Sequence, residues 1–380
     1  MDGWSAGGEH FLKTNVARLH VKSILTLIPA LLAGAIVCMC LAAFAGVSPL
    51  NLAETIWAGA LGSGEAALNT LARTSPLLIL GLAVALAYKA GLLNIGCEGQ
   101  LTTGALISVA VAQWASFLPA CLLLPLMLAS GAVVGALWAY PPIVLRRARG
   151  VHEVISTLLL NYVAIYLCSW LVSGPLGDGT AMARTPPIPP GAELPVIFRA
   201  GSAGMTPAPV IALVLCFVAW LWLSKTAWGF EVRSTGANFD AAENAGISAS
   251  KWQTRIFLMS GALAGLAGAI EISAVHHRFY RSFSPGYGFD GLTAAFLVNC
   301  SPEWLWLSAL FIGGLRSADK LLQIGLDLSP NFILVVQAVL LLSTACQGLM
   351  YSAPQALFSL LRGKIGKDDA PVRSDSADHR

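Results

Sequence analysis

The sequence predicts an all-α polytopic membrane protein with about ten transmembrane segments, including one broken or re-entrant helix pair, in two related five-segment halves. Of its 380 residues, 56% are hydrophobic and only 11% are charged, whereas soluble domains contain about 25% charged residues. Apolar runs of about 20 residues, the length that crosses a bilayer, recur along the chain. Basic residues lie at the ends of these runs, so their placement reports orientation in the bilayer. The net charge of +3 therefore does not indicate a nucleic-acid partner.

The predicted spans fill most of the chain. They lie at residues 24–46, 66–88, 101–117, 120–145, 154–172, 207–223, 256–274 and 332–350, with an interrupted run at 292–315. The first run is longer than the apolar region of a usual secretion signal, which favours an uncleaved first helix. We therefore divide the chain into a cytoplasmic segment at 1–22, a transmembrane domain at 23–351 and a cytoplasmic tail at 352–380, whose polar end is expected to be disordered.

Basic residues give the orientation. The clusters at 146–149 and in the loop at 225–255 fall inside under the positive-inside rule, and both termini are then cytoplasmic. Residues 47–65, which contain no Lys or Arg, fall outside. The proline-containing segment 173–206 becomes the longest external loop, and Thr185 within it is expected to be accessible from outside.

The interrupted run is expected to enter and leave the membrane on one side. The sequence Asn299-Cys300-Ser301-Pro302-Glu303 suits the tip of a re-entrant hairpin, because Pro302 cannot continue a helix from the preceding turn. Half-helices are expected at about 290–298 and 303–322. Arg316 and Lys320 would then lie outside, against the positive-inside rule, with Asp319 available as a partner.

The most informative motif interrupts an apolar run at 91–100, where Asn94, Glu98 and Gln100 accompany three glycines. An acidic side chain at mid-bilayer costs about 2.5–3.5 kcal/mol on insertion scales, and broken helices near the midplane are where transporters present polar groups to substrate. These three side chains are therefore predicted in or beside a translocation pathway, with Asn161 and Asn299 assigned to the same pathway. Alternatively, Glu98 braces the bend by accepting hydrogen bonds from backbone N–H groups.

The loop at 225–255 contains a predicted short helix at 236–247. Asn238 can cap it, Asp240 and Glu243 lie in its first turns where the helix dipole favours them, and Gly246 can end it. Phe239 and Ala242 are three residues apart and are expected to face one way. So short a helix needs support, either from its own membrane domain or from a cytoplasmic partner. We assign the partner contact to Gly236, Phe239, Asp240, Ala242, Glu243 and Gly246.

Small residues and cysteines receive structural interpretations. Gly131 and Gly135, and likewise Gly261 and Gly265, have the four-residue spacing that lets membrane helices approach closely. The eight cysteines form no Cys-x-x-Cys pair, and His276-His277 has no third partner in sequence, so no metal site is expected.

Three segments together resemble the permeases of ATP-binding-cassette importers for nucleosides and related simple sugars, within the wider branched-chain amino acid and ribose permease superfamily. Asn-Ile-Gly-x-Glu-Gly-Gln at 94–100, Glu-Val-Ile-Ser-Thr-Leu at 153–158 and Ala-Gly-Ile at 245–247 occur in order. The resemblance covers residues 25–350. It implies a bacterial inner-membrane location, a homo- or heterodimer of permease subunits, a cytoplasmic ATPase docked on the loop helix as a coupling helix, and an extracytoplasmic substrate-binding protein or lipoprotein.

The chain has no Gly-x-x-x-x-Gly-Lys-Ser/Thr phosphate loop. ATP and Mg²⁺ are therefore expected on the partner ATPase, with no cofactor on this chain and no catalytic role for it. Two rival functions remain. A proton-coupled secondary transporter would use Glu98 and leave the loop helix unexplained, and a membrane enzyme would need a constellation that His152-Glu153 and His276-His277 do not complete.

Overall fold

The computed structural model describes residues 32, 34–40, 42–44, 46–329 and 331–344, and their regular structure is mostly helical. The helices are α1 (Gly34–Phe44), α2 (Pro49–Ala60), α3 (Gly64–Lys89), α4 (Cys97–Trp114), α5 (Ala120–Arg149), α6 (Glu153–Ser173), α7 (Ala208–Lys225), α8 (Ala227–Ala237), α9 (Phe239–Asn244), α10 (Ala249–Glu271), α11 (Tyr287–Leu297), α12 (Leu305–Leu326) and α13 (Phe332–Thr344). A short hairpin pairs β1 (Phe198–Ala200) with β2 (Ala203–Met205). The predictions for 1–22 and 352–380 lie outside the described residues.

Several helices are long and apolar enough to cross a membrane. Within the described residues these are α3, α5, α6, α7 and α10, the last continued by a π-helical turn to His276. A sixth candidate is the pair α1 and α2, which is bent by 116°. The prediction of an all-α polytopic membrane protein is confirmed by these spans.

Two helices form the centre of the bundle. In the most apolar windows of α3 and α10, 83% and 72% of the residues are buried, against 22–28% in α5, α6 and α7. The outer helices instead expose large apolar side chains, such as Leu159, Tyr166 and Trp170 on α6. Because lipid is the solvent there, this exposure is the expected state of a membrane surface.

Residues 47–65, expected as an external connection, mostly form helix α2. Ser48 caps it by accepting a hydrogen bond from Asn51 N at 3.2 Å, and Pro49 at the first helical position supplies a suitable φ. The helix packs on α12, where Ser317 Oγ donates to Gly59 O at 2.9 Å. The sequence signal was weak because the helix has only 12 residues.

The predicted glycine contacts are confirmed between α5 and α10. A methyl group built on Gly265 would lie 2.9 Å from both Cα and N of Gly135, and one built on Gly261 would lie 2.6 Å from Gly135 O. Gly104 of α4 joins this contact, since its methyl group would lie 2.8 Å from Gly265 O. Three helices therefore touch backbone to backbone at a level where no side chain fits.

Replacing Gly265 by Ala is expected to lower the melting temperature of the folded protein, because the added methyl group must push α5 away from α10. Overpacking of this kind costs about 1–3 kcal/mol. Gly325 of α12 is the matched control, since nothing lies within 4 Å of a methyl group there and Ala is the better helix former. Equal melting temperatures for the two variants would refute the close packing.

The region 287–326 forms the predicted broken helix pair. The break falls at Asn299 and Cys300, whose φ values are both +51°, and α12 begins at Leu305 after the turn that contains Pro302. Asp319, the partner that the sequence made available, does not form an ion pair with Arg316. Arg316 lies inside the bundle and pairs with Asp290 of α11 instead, at 2.6 Å from Nε to Oδ2.

The segment between α6 and α7 lies over the end of α10. Its backbone N–H groups at Thr185, Ile188 and Leu194 donate to Phe279, His277 and Ser273 carbonyls at 2.8–2.9 Å. Thr185 is consequently only 1% exposed, so the expectation that it is accessible is wrong. Hydrogen bonds from the Thr180 hydroxyl and backbone N–H lower the pKa of Asp178 to about 2, so this carboxylate stays ionised to a lower pH than an ordinary aspartate.

Candidate functional site

The polar motif at 91–100 forms a break between two helices. Helix α3 ends at Lys89 and α4 begins at Cys97, and residues 90–96 between them are not helical. Gly91 starts the break at φ +76°, a left-handed conformation that favours glycine. Broken helices inside a membrane must find partners for the freed backbone groups, and polar side chains supply them here.

Asn94 is the centre of a buried hydrogen-bond cluster. Its Nδ2 donates to Gln100 Oε1 at 2.8 Å and to Ser260 Oγ of α10 at 2.9 Å. Its Oδ1 accepts from Gly96 N at 2.9 Å and from Gln100 Nε2 at 3.1 Å. Asn94 and Gln100 are 0% and 1% exposed, so the cluster fixes the break from within.

Asn161 of α6 supports the other side of the break. Its Oδ1 accepts from Gly99 N at 2.8 Å, and its Nδ2 donates to Ile95 O at 2.9 Å. The amide therefore satisfies one backbone donor and one backbone acceptor that the interrupted helix leaves open. Gly99 permits this approach, because a methyl group built on it would lie 3.0 Å from Asn161 Cα.

Glu98 joins the two broken regions. Its Oε2 accepts a hydrogen bond from Gly288 N at 2.6 Å, and both residues lie in the first turn of a helix, α4 and α11 respectively. A carboxylate is stabilised at a helix N-terminus by the helix dipole, and the Glu98 carboxylate lies between the N-termini of α4 and α11. Gly288 is required for the contact, because a methyl group there would lie 2.7 Å from Glu98 Cα.

The first turn of α11 also holds a buried ion pair. Asp290 accepts from Arg316 through both oxygens, at 2.6 Å from Nε and 2.8 Å from Nη2, and Arg316 Nη2 also donates to Pro285 O at 3.3 Å. The two side chains are 2% and 6% exposed. This bidentate pair fastens the N-terminal end of α11 to α12.

Asn299 is not brought together with the other residues predicted for the pathway. It lies beyond the C-terminal end of α11, where Phe296 packs edge-to-face on Tyr88 at the end of α3. Gly288, the contact of Glu98, lies at the opposite end of α11, about 16 Å away at 1.5 Å per helical residue. The structure thus groups Asn94, Glu98, Gln100 and Asn161, and places Asn299 on an exposed tip.

The loop helix is present, with different bounds. Asn238 caps α9 by accepting from Ala241 N at 3.0 Å, as predicted, and Gly246 follows the helix at φ +83°. Gly236 belongs to the preceding helix α8, which the sequence did not predict. The helices are separated at Asn238, whose backbone is extended.

The two apolar residues of the loop helix do not share an exposed face. Phe239 is 40% exposed, whereas Ala242 is 3% exposed within this chain, so the expectation that both project toward a partner is wrong for Ala242. The short helix turns Ala242 inward, and Asp240 with Phe239 remains on the surface. Glu243 is exposed but accepts from Ser250 N at 3.0 Å, which closes the loop onto α10.

The loop and the break contact each other directly. A methyl group built on Gly91 would lie 3.2 Å from Gly236 Cα, and Gln253 Nε2 of α10 donates to Ala90 O at 3.2 Å. Glu153, at the start of α6, accepts from Leu93 N at 3.3 Å and pairs with Arg146 of α5. A movement of the loop at 225–255 would therefore displace residues of the break.

These contact residues were missed in the sequence. Glu153 lies four residues after the last of three arginines at the end of α5, a charge reversal that could have indicated an ion pair. Gly288 lies in a Gly-Tyr-Gly sequence with Asp290 two residues further on, and an acidic residue is favoured in the first turn of a helix. Ser260 and Gln253 carry no local signal, because their importance depends on α10 lying beside the break.

Buried polar groups at a broken helix, enclosed by lipid-facing spans, define a polytopic membrane protein of the transport type. Residues 66–345 match the family described as branched-chain amino acid transport system / permease component. The chain belongs to this permease family.

Similar proteins of known description are also permeases. A glucose ABC transporter permease protein of Haloferax volcanii is 36% identical over 84% of this chain and 85% of its own length. A guanosine ABC transporter permease protein of Bacillus subtilis is 32% identical over 85% and 92%. A nucleoside ABC transporter permease protein of Lactococcus lactis is 30% identical over 86% and 91%.

Proposed function

We propose that this chain is the transmembrane subunit of an ATP-driven importer that forms the pathway for nucleosides or related simple sugars. The observation that carries the proposal is the similarity along most of the chain to permeases described for glucose, guanosine and nucleosides. The substrates named for these relatives are neutral and polyhydroxylated, and we propose the same class of ligand for this chain.

The proposed assembly has further subunits. About ten membrane segments, with both termini in the cytoplasm of a bacterial inner membrane, would pair with a second permease subunit. A substrate-binding protein or lipoprotein would deliver ligand from outside, and cytoplasmic ATPase subunits would hold ATP and Mg²⁺. This chain would bind no cofactor and catalyse no reaction.

We place the translocation pathway beside the break, with Asn94, Glu98, Gln100 and Asn161 forming its supporting wall. Asn299 would line it at the exposed tip of the broken pair. Because the wall residues bond one another and the backbone, the pathway would be shaped by them with few strong contacts to ligand. Such a pathway suits a transporter that receives ligand from a high-affinity binding protein.

Replacing Phe239 by Ser is expected to reduce ATP hydrolysis by the docked ATPase about tenfold, a loss of about 1.4 kcal/mol in productive contact, without loss of folded protein. The Phe239 ring is the large apolar side chain that the loop helix exposes to a partner. Phe198 in β1 is 59% exposed and lies in the proposed external segment, so Phe198→Ser is the matched control. Equal hydrolysis for both variants and wild type would remove the loop helix from the ATPase contact.

Labelling of single cysteines is expected to place the two loops on opposite sides. Met182, 68% exposed between α6 and α7, replaces Thr185 as the external position, and Asp240 of α9 is the internal one. In a background with exposed Cys40 and Cys121 changed to Ser, an impermeant maleimide added to whole cells should label Met182→Cys and spare Asp240→Cys. The reverse pattern would overturn the orientation.

A further inference from the structure

A polar cleft of about 390 Å³ opens between the end of α5 and the loop helix. Its walls include Arg146 and Arg147 from α5, Asn238 and Phe239 at the start of α9, and Gln253 from α10. The residues proposed for the translocation pathway do not line this cleft. Its two guanidinium groups and neighbouring amides are donors, and they suit an anionic oxygen ligand.

The arginines differ in what they already bind. Arg146 pairs with the buried carboxylate of Glu153, so its charge is balanced. Arg147 donates to the Ser250 carbonyl and, at 2.7 Å, to Ser250 Oγ, both neutral acceptors. Among the described residues, Arg147 forms no ion pair. The cleft therefore holds one positive charge that the described part of the chain does not neutralise.

We propose that the cleft receives an Asp or Glu side chain of the partner ATPase, with Arg147 as the residue that recognises it; this rests on the proposed function. The partner is a protein because the cleft shares a wall with the loop helix, whose exposed Phe239 is the proposed ATPase contact. Phe239 and Arg147 both line the cleft. One ATPase surface would thus contact an apolar ring and a cation side by side.

The position of the cleft gives the contact a consequence for transport. Its wall includes Gly91 and Gly236, the glycines at which the loop touches the break. Arg146 in the same cleft holds Glu153, which accepts from Leu93 N at 3.3 Å. A carboxylate that enters the cleft would therefore share it with Arg146, which contacts the break through Glu153. Docking in the cleft would in this way connect the ATPase to the break.

The test compares two charge reversals on one helix end. Arg147→Glu is expected to weaken retention of the ATP-binding-cassette ATPase that co-purifies with the wild-type complex by at least tenfold. Arg149→Glu, exposed at the same helix end and absent from the cleft lining, should change it less than twofold. Arg146 is avoided because its loss would leave Glu153 buried without a partner.

A second measurement identifies the carboxylate. In an Arg147→Lys complex, a zero-length carbodiimide should join Lys at 147 to an Asp or Glu of the ATPase, mapped by mass spectrometry. Lys placed at 149 should give no such bond. Reversing the mapped carboxylate to Lys should restore binding to the Arg147→Glu chain, which a merely misfolded variant would not show.

Each possible outcome of these experiments leads to one conclusion. Equal loss for both arginine variants, or a carbodiimide bond at 149 and none at 147, overturns the cleft assignment. If retention on wild type falls tenfold in phosphatidylcholine nanodiscs without phosphatidylglycerol, and Arg147→Glu then matches wild type, the cleft holds a lipid headgroup and the inference is wrong. If the wild type retains no ATPase in any lipid, the proposed function fails instead.

Discussion

Replacing Arg316 by Met is expected to destabilise the folded protein by about 3–5 kcal/mol, because Asp290 would be left buried without its counter-charge. Both side chains are almost fully enclosed and share two hydrogen bonds. The expected observation is a large fall in the amount of monodisperse protein and in its melting temperature.

A control and a double variant separate this pair from a general charge effect. Lys320 lies on the same helix and is exposed, so Lys320→Met should leave the melting temperature within the range of a usual surface change, about 0.5 kcal/mol. Combining Asp290→Asn with Arg316→Met removes the unpaired charge and should recover much of the loss. If the double variant is no better than Arg316→Met alone, the two residues do not act as a pair.

Replacing Glu98 by Gln is expected to lower stability while uptake per folded molecule stays unchanged. The carboxylate accepts from Gly288 N at 2.6 Å between two helix starts, and a charge-assisted bond of this kind contributes about 1.5–3 kcal/mol. Glutamine keeps the shape and an acceptor oxygen but loses the charge that both helix ends favour. Uptake should fall in proportion to the amount of folded protein.

The same measurement distinguishes bracing from direct contact with ligand. Exposed Glu54 of α2 provides the control, since Glu54→Gln removes a charge without a buried partner. Full stability of Glu98→Gln together with altered selectivity among nucleosides would mean that the carboxylate meets ligand. Lowered stability with unaltered selectivity would mean that Glu98 holds α4 against α11.

The long elements were predictable because their signals are local. The apolar runs predicted the bounds of α3, α5, α6 and α7 to within a few residues. The proline that follows Asn299 predicted the break between α11 and α12. The four-residue glycine spacing predicted that α5 and α10 each approach a neighbouring helix closely, but not that they are each other's neighbours. Each of these features depends on composition within one segment, which a single sequence displays directly.

The partners of the polar residues were not predictable in the same way. The contact of Glu98 with Gly288 depends on which helices lie side by side. The pairing of Arg316 with Asp290, and not with nearby Asp319, depends on the same arrangement. The inward turn of Ala242 depends on the packing of α9 on α8 and α10, and its sequence neighbours do not reveal it. The positions of the motifs thus indicated which segments hold the polar residues. The packing of the helices determined which partners those residues bind.

The most direct test of the account is uptake into proteoliposomes. Vesicles would contain the permease with its co-purifying subunits, the ATPase facing the lumen, and external substrate-binding protein with labelled guanosine or glucose. Accumulation should require lumenal ATP, persist when a protonophore collapses any pH gradient, and cease with an ATPase that binds but does not hydrolyse ATP. Uptake that proceeds without ATP, follows an imposed pH gradient and is abolished by the protonophore would contradict the account and establish proton coupling.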